Sequence, residues 1–180
     1  GRRRAAPSRV PSCRLFYQSA TTQSEANDPA VVLNPFARDR NGTWKGKGMS
    51  RILVVEDEPN LAQALGEYLS ELGYVVEIVP DGEQAVRRAT AAPPDLIVMD
   101  LMMPHLNGGE AARLLRQHAQ TASIPIIAIS ALGDADELAS VLPIDALLHK
   151  PFDLDELGDA VTTRVPPRFE TPATAQPGDA

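Results

Sequence analysis

Five residues stand where chemistry is to be expected. Glu56 and Asp57 close a strand-like apolar run at 51–55, and Asp100 closes another at 95–99. Ser130 follows the run 124–129, and Lys150 follows 144–148 with only His149 between. If the first and third runs are neighbours, three carboxylates converge. Like charges packed closely repel, and one pKa rises unless a cation intervenes. A hard divalent ion with oxygen ligands resolves the conflict, and Mg²⁺ fits best because it keeps several waters. Ser130 adds a hydroxyl. Lys150, the only lysine after Lys47, adds a point positive charge. Acids, one ammonium and one hydroxyl suit transfer of a phosphoryl group, whose oxygens need neutralising in the transition state.

These residues need a scaffold that brings strand ends together. The segment 51–55 is β-branched and apolar, and Pro59 suits the first turn of a helix. Leu61, Ala64, Leu65, Tyr68, Leu69 and Leu72 recur at helical spacing, with Gly73 placed to stop the helix. A strand is expected at 74–79, then a helix carrying Ala85, Val86 and Ala89 that ends before Pro93 and Pro94. After the strand 95–99, a loop through Pro104, Asn107, Gly108 and Gly109 leads to a helix with Ala111, Ala112, Leu114 and Leu115. A strand at 124–129 tolerates Pro125 near its start. A short helix at 134–141, a strand at 144–148 and a last helix from Asp153 complete the pattern. Near-continuous apolar strands alternating with amphipathic helices imply an α/β fold with a parallel sheet covered on both faces. Right-handed crossovers make it doubly wound. Ligands in such sheets sit outside the carboxyl ends of the strands, where all five chemical residues lie.

The 180 residues carry a net charge of −7, and aromatics make up only 4 %. No apolar run is long enough to span a membrane. The single cysteine, Cys13, excludes an internal disulfide framework and a cysteine-based zinc site. The acidic balance argues against bulk attraction to nucleic acid. The charge is unevenly placed: residues 1–48 carry +6 and the remainder −13. Residues 1–48 lack sustained apolar periodicity and are read as a disordered basic extension. The first methionine, Met49, stands just before the first strand, so 1–48 reads as an upstream extension, with an organelle-targeting segment as the competing reading. The folded unit is expected at 49–164, and 165–180 as a loose tail.

In order and spacing the motifs resemble the receiver domain of bacterial two-component response regulators. The matching residues are Ile52 to Glu58, Pro94 to Pro104 with Asn107 and Gly108, Ile126 to Ala131, and His149-Lys150-Pro151-Phe152. Together they span 51–164. The resemblance implies a flavodoxin-like sheet of five parallel strands in the order 2-1-3-4-5. It implies that Asp100 accepts a phosphoryl group from a sensor histidine kinase or a histidine phosphotransfer protein. Mg²⁺ would then be held by Asp57, Asp100 and the backbone carbonyl of Met102, with Glu56 acting through water. Ser130 and Lys150 would stabilise the phosphoryl group, and the Lys150–Pro151 peptide would be cis. The implied setting is cytoplasmic signalling through phosphorylation-dependent binding of a downstream effector protein, or phosphorelay. That reading involves no membrane and no direct DNA binding, and it allows a phosphorylation-dependent dimer.

Local departures and alternatives shape these expectations. The switch position three residues before the lysine is Leu147, not the family's usual Tyr or Phe. The residues two after Asp100 and two after Ser130 are Met102 and Leu132, and neither side chain orients water, so self-dephosphorylation is expected to be slow. His105, His118 and His149 have no metal-ligand spacing, Glu58 reads as a solvated acid, and Ser130 could serve only as a helix cap. No recognisable output module follows the last helix, which suggests a stand-alone receiver and not an enzyme. A metal-dependent phosphohydrolase with an aspartyl-phosphate intermediate is the alternative, but Met102 replaces its expected acid/base carboxylate. A phosphorylation-independent scaffold is a third reading, opposed by the presence of all the acids, Ser130 and Lys150.

Overall fold

The computed structural model describes residues 49–131 and 140–168, together with the backbone of Val31–Leu33. The elements run β1 (Val31–Leu33), β2 (Arg51–Val55), α1 (Pro59–Glu71), β3 (Val75–Val79), α2 (Gly82–Ala91), β4 (Leu96–Asp100), α3 (Gly108–Gln117), β5 (Ile126–Ser130), β6 (Ala146–His149) and α4 (Leu154–Arg164). The sheet order is β1-β3-β2-β4-β5-β6. Counted from Arg51, the five strands from β2 onward are mutually parallel in the order 2-1-3-4-5, as in the flavodoxin-like receiver fold.

Period-two alternation divides the apolar strand residues between two cores. Ile52, Val54, Val76, Leu96, Val98, Ile127 and Ile129 face α1 and α4, where they meet Leu65, Leu69, Leu157 and Val161. Leu53, Val55, Val79, Ile97, Met99 and Ile126 face α2 and α3, which present Ala85, Ala89, Ala111, Ala112 and Leu115. Burial of each large aliphatic side chain contributes roughly 1.5–3 kcal/mol relative to exposure. Three acidic or amide side chains start helices. Glu58 accepts from the amides of Asn60 (3.1 Å) and Leu61 (2.7 Å), Asp81 from Gln84 (2.8 Å), and Asn107 from Glu110 (3.0 Å). Gly73, at φ 94°, supplies the left-handed residue that ends α1.

The structure departs from the sequence reading at three places. Within 1–48, where disorder is expected, Val31–Leu33 forms a sixth, antiparallel strand on β3; the rest of that segment lies outside the described residues. Glu58 is exposed, as expected of a solvated acid, but it is also the cap of α1. The tail is tied down at its start. Val165 is buried, its carbonyl accepts from the Tyr74 hydroxyl at 2.6 Å, and the Pro166 carbonyl accepts from Ser50 Oγ at 3.1 Å. Of the short helix expected at 134–141, only Ser140 and Val141 are described, and both are helical; 134–139 and Leu132 lie outside the described residues.

Candidate functional site

The carboxyl ends of β2 and β4 lie side by side, with Val55 in register with Met99. The next residues on β2's side are Glu56 and Asp57, and β4 itself ends at Asp100. One carboxylate oxygen from each of Glu56, Asp57 and Asp100 lies within 4.8 Å of the others. Glu56 and Asp100 are buried, whereas Asp57 is exposed. The cluster thus has one wet rim and two acids already stripped of most solvent.

Lys150 enters from β6. Its backbone amide donates to the Ser130 carbonyl at 2.8 Å, which fixes the chain just beyond β6 beside the end of β5. Its ammonium donates to Asp100 Oδ2 at 2.5 Å and to Glu56 Oε2 at 3.1 Å. The Lys150–Pro151 peptide is cis. Asp100 Oδ1 accepts from the Met102 amide at 2.7 Å. Both oxygens of Asp100 are therefore held, one by a backbone dipole and one by a cation. Ser130 is buried at the end of β5, one residue beyond Ile129, the register partner of Asp100. Leu147 is half-buried in β6, in register with Ala128.

The electrostatics follow from this packing. Burial pushes the Glu56 carboxyl above its usual range, and the negative charge of Asp100 pushes it further; hydrogen bonding and charge from Lys150 oppose both. Burial alone would lower the Lys150 pKa, but its hydrogen bonds and charge interactions with Asp100 and Glu56 outweigh that and raise it. Glu58 lies below its usual range because the Leu61 and Asn60 amides bond its charged form. Three carboxylates around one ammonium leave the cluster short of positive charge.

Sequence reasoning names the acids, Ser130, Lys150 and the Met102 carbonyl, but two other backbone features of the site lie beyond it. The Met102 amide holds Asp100, and Gly108 sits so close to the Asp100 carbonyl that an added Cβ would collide with it. The signal for the second was present in Asn107-Gly108-Gly109, where a glycine inside a helix start marks a close backbone approach.

The family profile of the response regulator receiver domain matches residues 52–162. The chain belongs to this family. It is 40 % identical over 111 residues to the response regulator ArlR of Staphylococcus epidermidis, an overlap covering 61 % of this chain and 49 % of the relative. The chain thus spans about half the length of the curated relatives it matches. Among solved structures it resembles the receiver domain of the sensor histidine kinase PA1611 of Pseudomonas aeruginosa, whose active-site cleft coordinates a magnesium ion. That likeness has a TM-score of 0.60 and 35 % identity, and covers 64 % of this chain and 97 % of the other. It is similarly like the response regulator TrrA of Thermotoga maritima in complex with Mg²⁺ and a BeF group, with a TM-score of 0.59 and 34 % identity, covering 65 % and 100 %. No helix among the described residues is long and apolar enough to cross a membrane.

Proposed function

We propose that Asp100 accepts a phosphoryl group from a phosphohistidine donor, with Mg²⁺ bound at the same site, and that the phosphorylated domain signals by binding a protein partner or by passing the group on. The observation that carries this reading is the position of Asp100. It is a buried carboxylate at the carboxyl end of a central strand, held on one oxygen by Lys150 and clustered with two further acids. In the transfer, a carboxylate oxygen of Asp100 bonds to phosphorus and the bond from phosphorus to the donor's imidazole nitrogen breaks. The imidazole leaves with the electron pair and takes up a proton.

The donor set fits a hard divalent cation. Glu56, Asp57 and Asp100 offer only oxygen, and the cluster lacks positive charge. Asp57 and Asp100 would be direct ligands together with the Met102 carbonyl, and Glu56 would act through a bound water. When present, the ion supplies neutralisation of the phosphoryl oxygens. Lys150 is already anchored to Asp100, so its ammonium stands next to the acceptor and pairs with an oxygen of the incoming group. Ser130 lies one residue past the register partner of Asp100, which suits its hydroxyl to another such oxygen. With Leu147 at the switch position, the response is reported without an aromatic side chain there. The partners that fit are a sensor histidine kinase or histidine phosphotransfer protein upstream and an effector protein downstream, in the cytoplasm.

Intact-mass measurement after incubation with acetyl phosphate and Mg²⁺ tests the reading. Wild type gains one phosphoryl adduct, and Asp100→Ala gains none. An adduct of equal yield on Asp100→Ala would remove Asp100 from the role.

A further inference from the structure

We propose that Met102 is an oxidant-sensitive modification site, and that its sulfoxide shortens the life of the phosphoryl group on Asp100. The second half of this inference rests on Asp100 being the phosphoryl acceptor.

The chain holds four methionines, three of them between residues 99 and 103 at the end of β4. Met99 and Met103 are buried, at 0 % and 7 % exposure, in the core that faces α2 and α3. Met102 is 54 % exposed and belongs to neither core. Met49 is half-buried. Oxidation of a thioether follows access to its sulfur, so hydrogen peroxide should reach Met102 well ahead of Met99 and Met103. In that step a sulfur lone pair bonds to one peroxide oxygen, the O–O bond breaks, and the other oxygen leaves as water. The thioether is oxidised by two electrons and the peroxide is reduced.

The place of Met102 makes the added oxygen consequential. Its amide donates to Asp100 Oδ1 at 2.7 Å, and its Cα lies one bond of about 1.46 Å further on, so that Cα is at most about 4.2 Å from the carboxylate oxygen. Three rotatable side-chain bonds let the sulfur reach the space above the acceptor. A thioether is a weak acceptor and leaves a nearby water unoriented. A sulfoxide oxygen is polar and accepts a hydrogen bond from that water, holding it for attack on phosphorus. The water oxygen bonds to phosphorus, the bond from phosphorus to the Asp100 oxygen breaks, and its electron pair returns to the carboxylate. Inorganic phosphate leaves, and one proton of the water passes to solvent. Sulfoxide reductases reverse the oxidation, so the site would tie the lifetime of the signal to oxidant level.

Peroxide treatment of the full chain, removal of the peroxide with catalase and peptide mapping by mass form the first measurement. Met102 should take up oxygen at least about tenfold faster than Met99 and Met103. The treated chain is then phosphorylated with acetyl phosphate and Mg²⁺, freed of acetyl phosphate, and followed by intact mass as the adduct decays. Decay should be about three- to tenfold faster than in the untreated chain, the scale of one neutral hydrogen bond. Sulfoxide reductases acting on both epimers should restore the untreated rate. In Met102→Leu, which retains the backbone amide and carbonyl, peroxide should leave decay at that variant's own untreated rate. Oxidation of Met99 or Met103 ahead of Met102 would overturn the proposal. So would equal decay before and after oxidation of Met102, or the same acceleration in Met102→Leu, which would assign the effect to another residue such as Met49. An untreated chain that takes up no adduct would overturn the phosphoryl reading of Asp100 and this proposal with it.

Discussion

At the carboxyl ends of β2 and β4, three acids gather around one ammonium. Toward the amino ends of β2 and β3, one buried acid, Glu77, shares a crevice with two guanidiniums, Arg51 and Arg88, the latter at 3.4 Å. Both regions bury carboxylates in the same sheet, but their balance is opposite. Around Glu77 the positive charge is already at hand, so the arrangement can serve stability and calls for no ligand. Around Asp100 the negative charge exceeds what Lys150 can offset, and the excess is what a divalent cation would relieve. Burial of an acid therefore does not by itself mark a functional site; the local excess of one sign does.

Lys150→Ala should break this contrast most strongly. It leaves Glu56 and Asp100 buried without their ammonium, at a cost of about 2–3 kcal/mol in urea unfolding, less than for a fully buried pair because Lys150 is partly exposed. Added Mg²⁺ should recover part of that loss. Adduct formation from acetyl phosphate should slow by about 10²-fold, the scale for removing one donor to a developing charge. Unchanged stability and unchanged rate would mean that the ammonium contributes nothing to the site.

Glu77→Gln sharpens the contrast from the other side. It leaves two guanidiniums in the crevice without the carboxylate and should cost about 1–2 kcal/mol. The rate of adduct formation should match wild type, since Glu77 sits mid-strand in β3, paired with Leu53, and is not among the acids clustered at Asp100. Loss of phosphoryl acceptance at unchanged stability would show that the two regions are coupled.

The smallest expected effect is that of Tyr74→Phe, which removes one neutral hydrogen bond and touches neither set of charged residues. Loss of its bond to the Val165 carbonyl should cost about 1 kcal/mol. Burial raises the Tyr74 pKa above its ordinary 10.0, so the folded chain holds the phenol proton more tightly than the unfolded chain. That contribution is fully present below pH 10 and is lost as pH rises through the folded value. Stability of Tyr74→Phe should therefore decline less steeply above pH 10 than that of wild type, as read by urea midpoints across that range.

Much of this architecture was legible in the sequence because its signals are local. Runs such as 52–55 and 96–99 name buried parallel strands by composition alone, and each ends at a residue that the topology carries to the site. Contacts that join distant segments left no such mark. The Arg116 side chain bonds the carbonyls of Pro143, Ala122 and Ile124 and the carboxylate of Asp145, and nothing in the sequence around Arg116 distinguishes it from a solvated helix residue. β1 was hidden for a related reason. Three apolar residues inside a basic, proline-containing segment are too few to show a period, and the strand depends on an edge supplied from elsewhere. The hold of the Met102 amide on Asp100 is backbone geometry, independent of the side chain at 102.

The central claim is that Asp100, among all the acids of the cluster, carries the phosphoryl group. Borohydride reduction of the phosphorylated chain, followed by peptide sequencing, tests it most directly, because an acyl phosphate on aspartate is reduced to homoserine at the modified residue. The account predicts homoserine at position 100 and at no other. Reduction at Glu56 or Asp57, or a phosphoryl group that survives borohydride on a histidine such as His149, would contradict it.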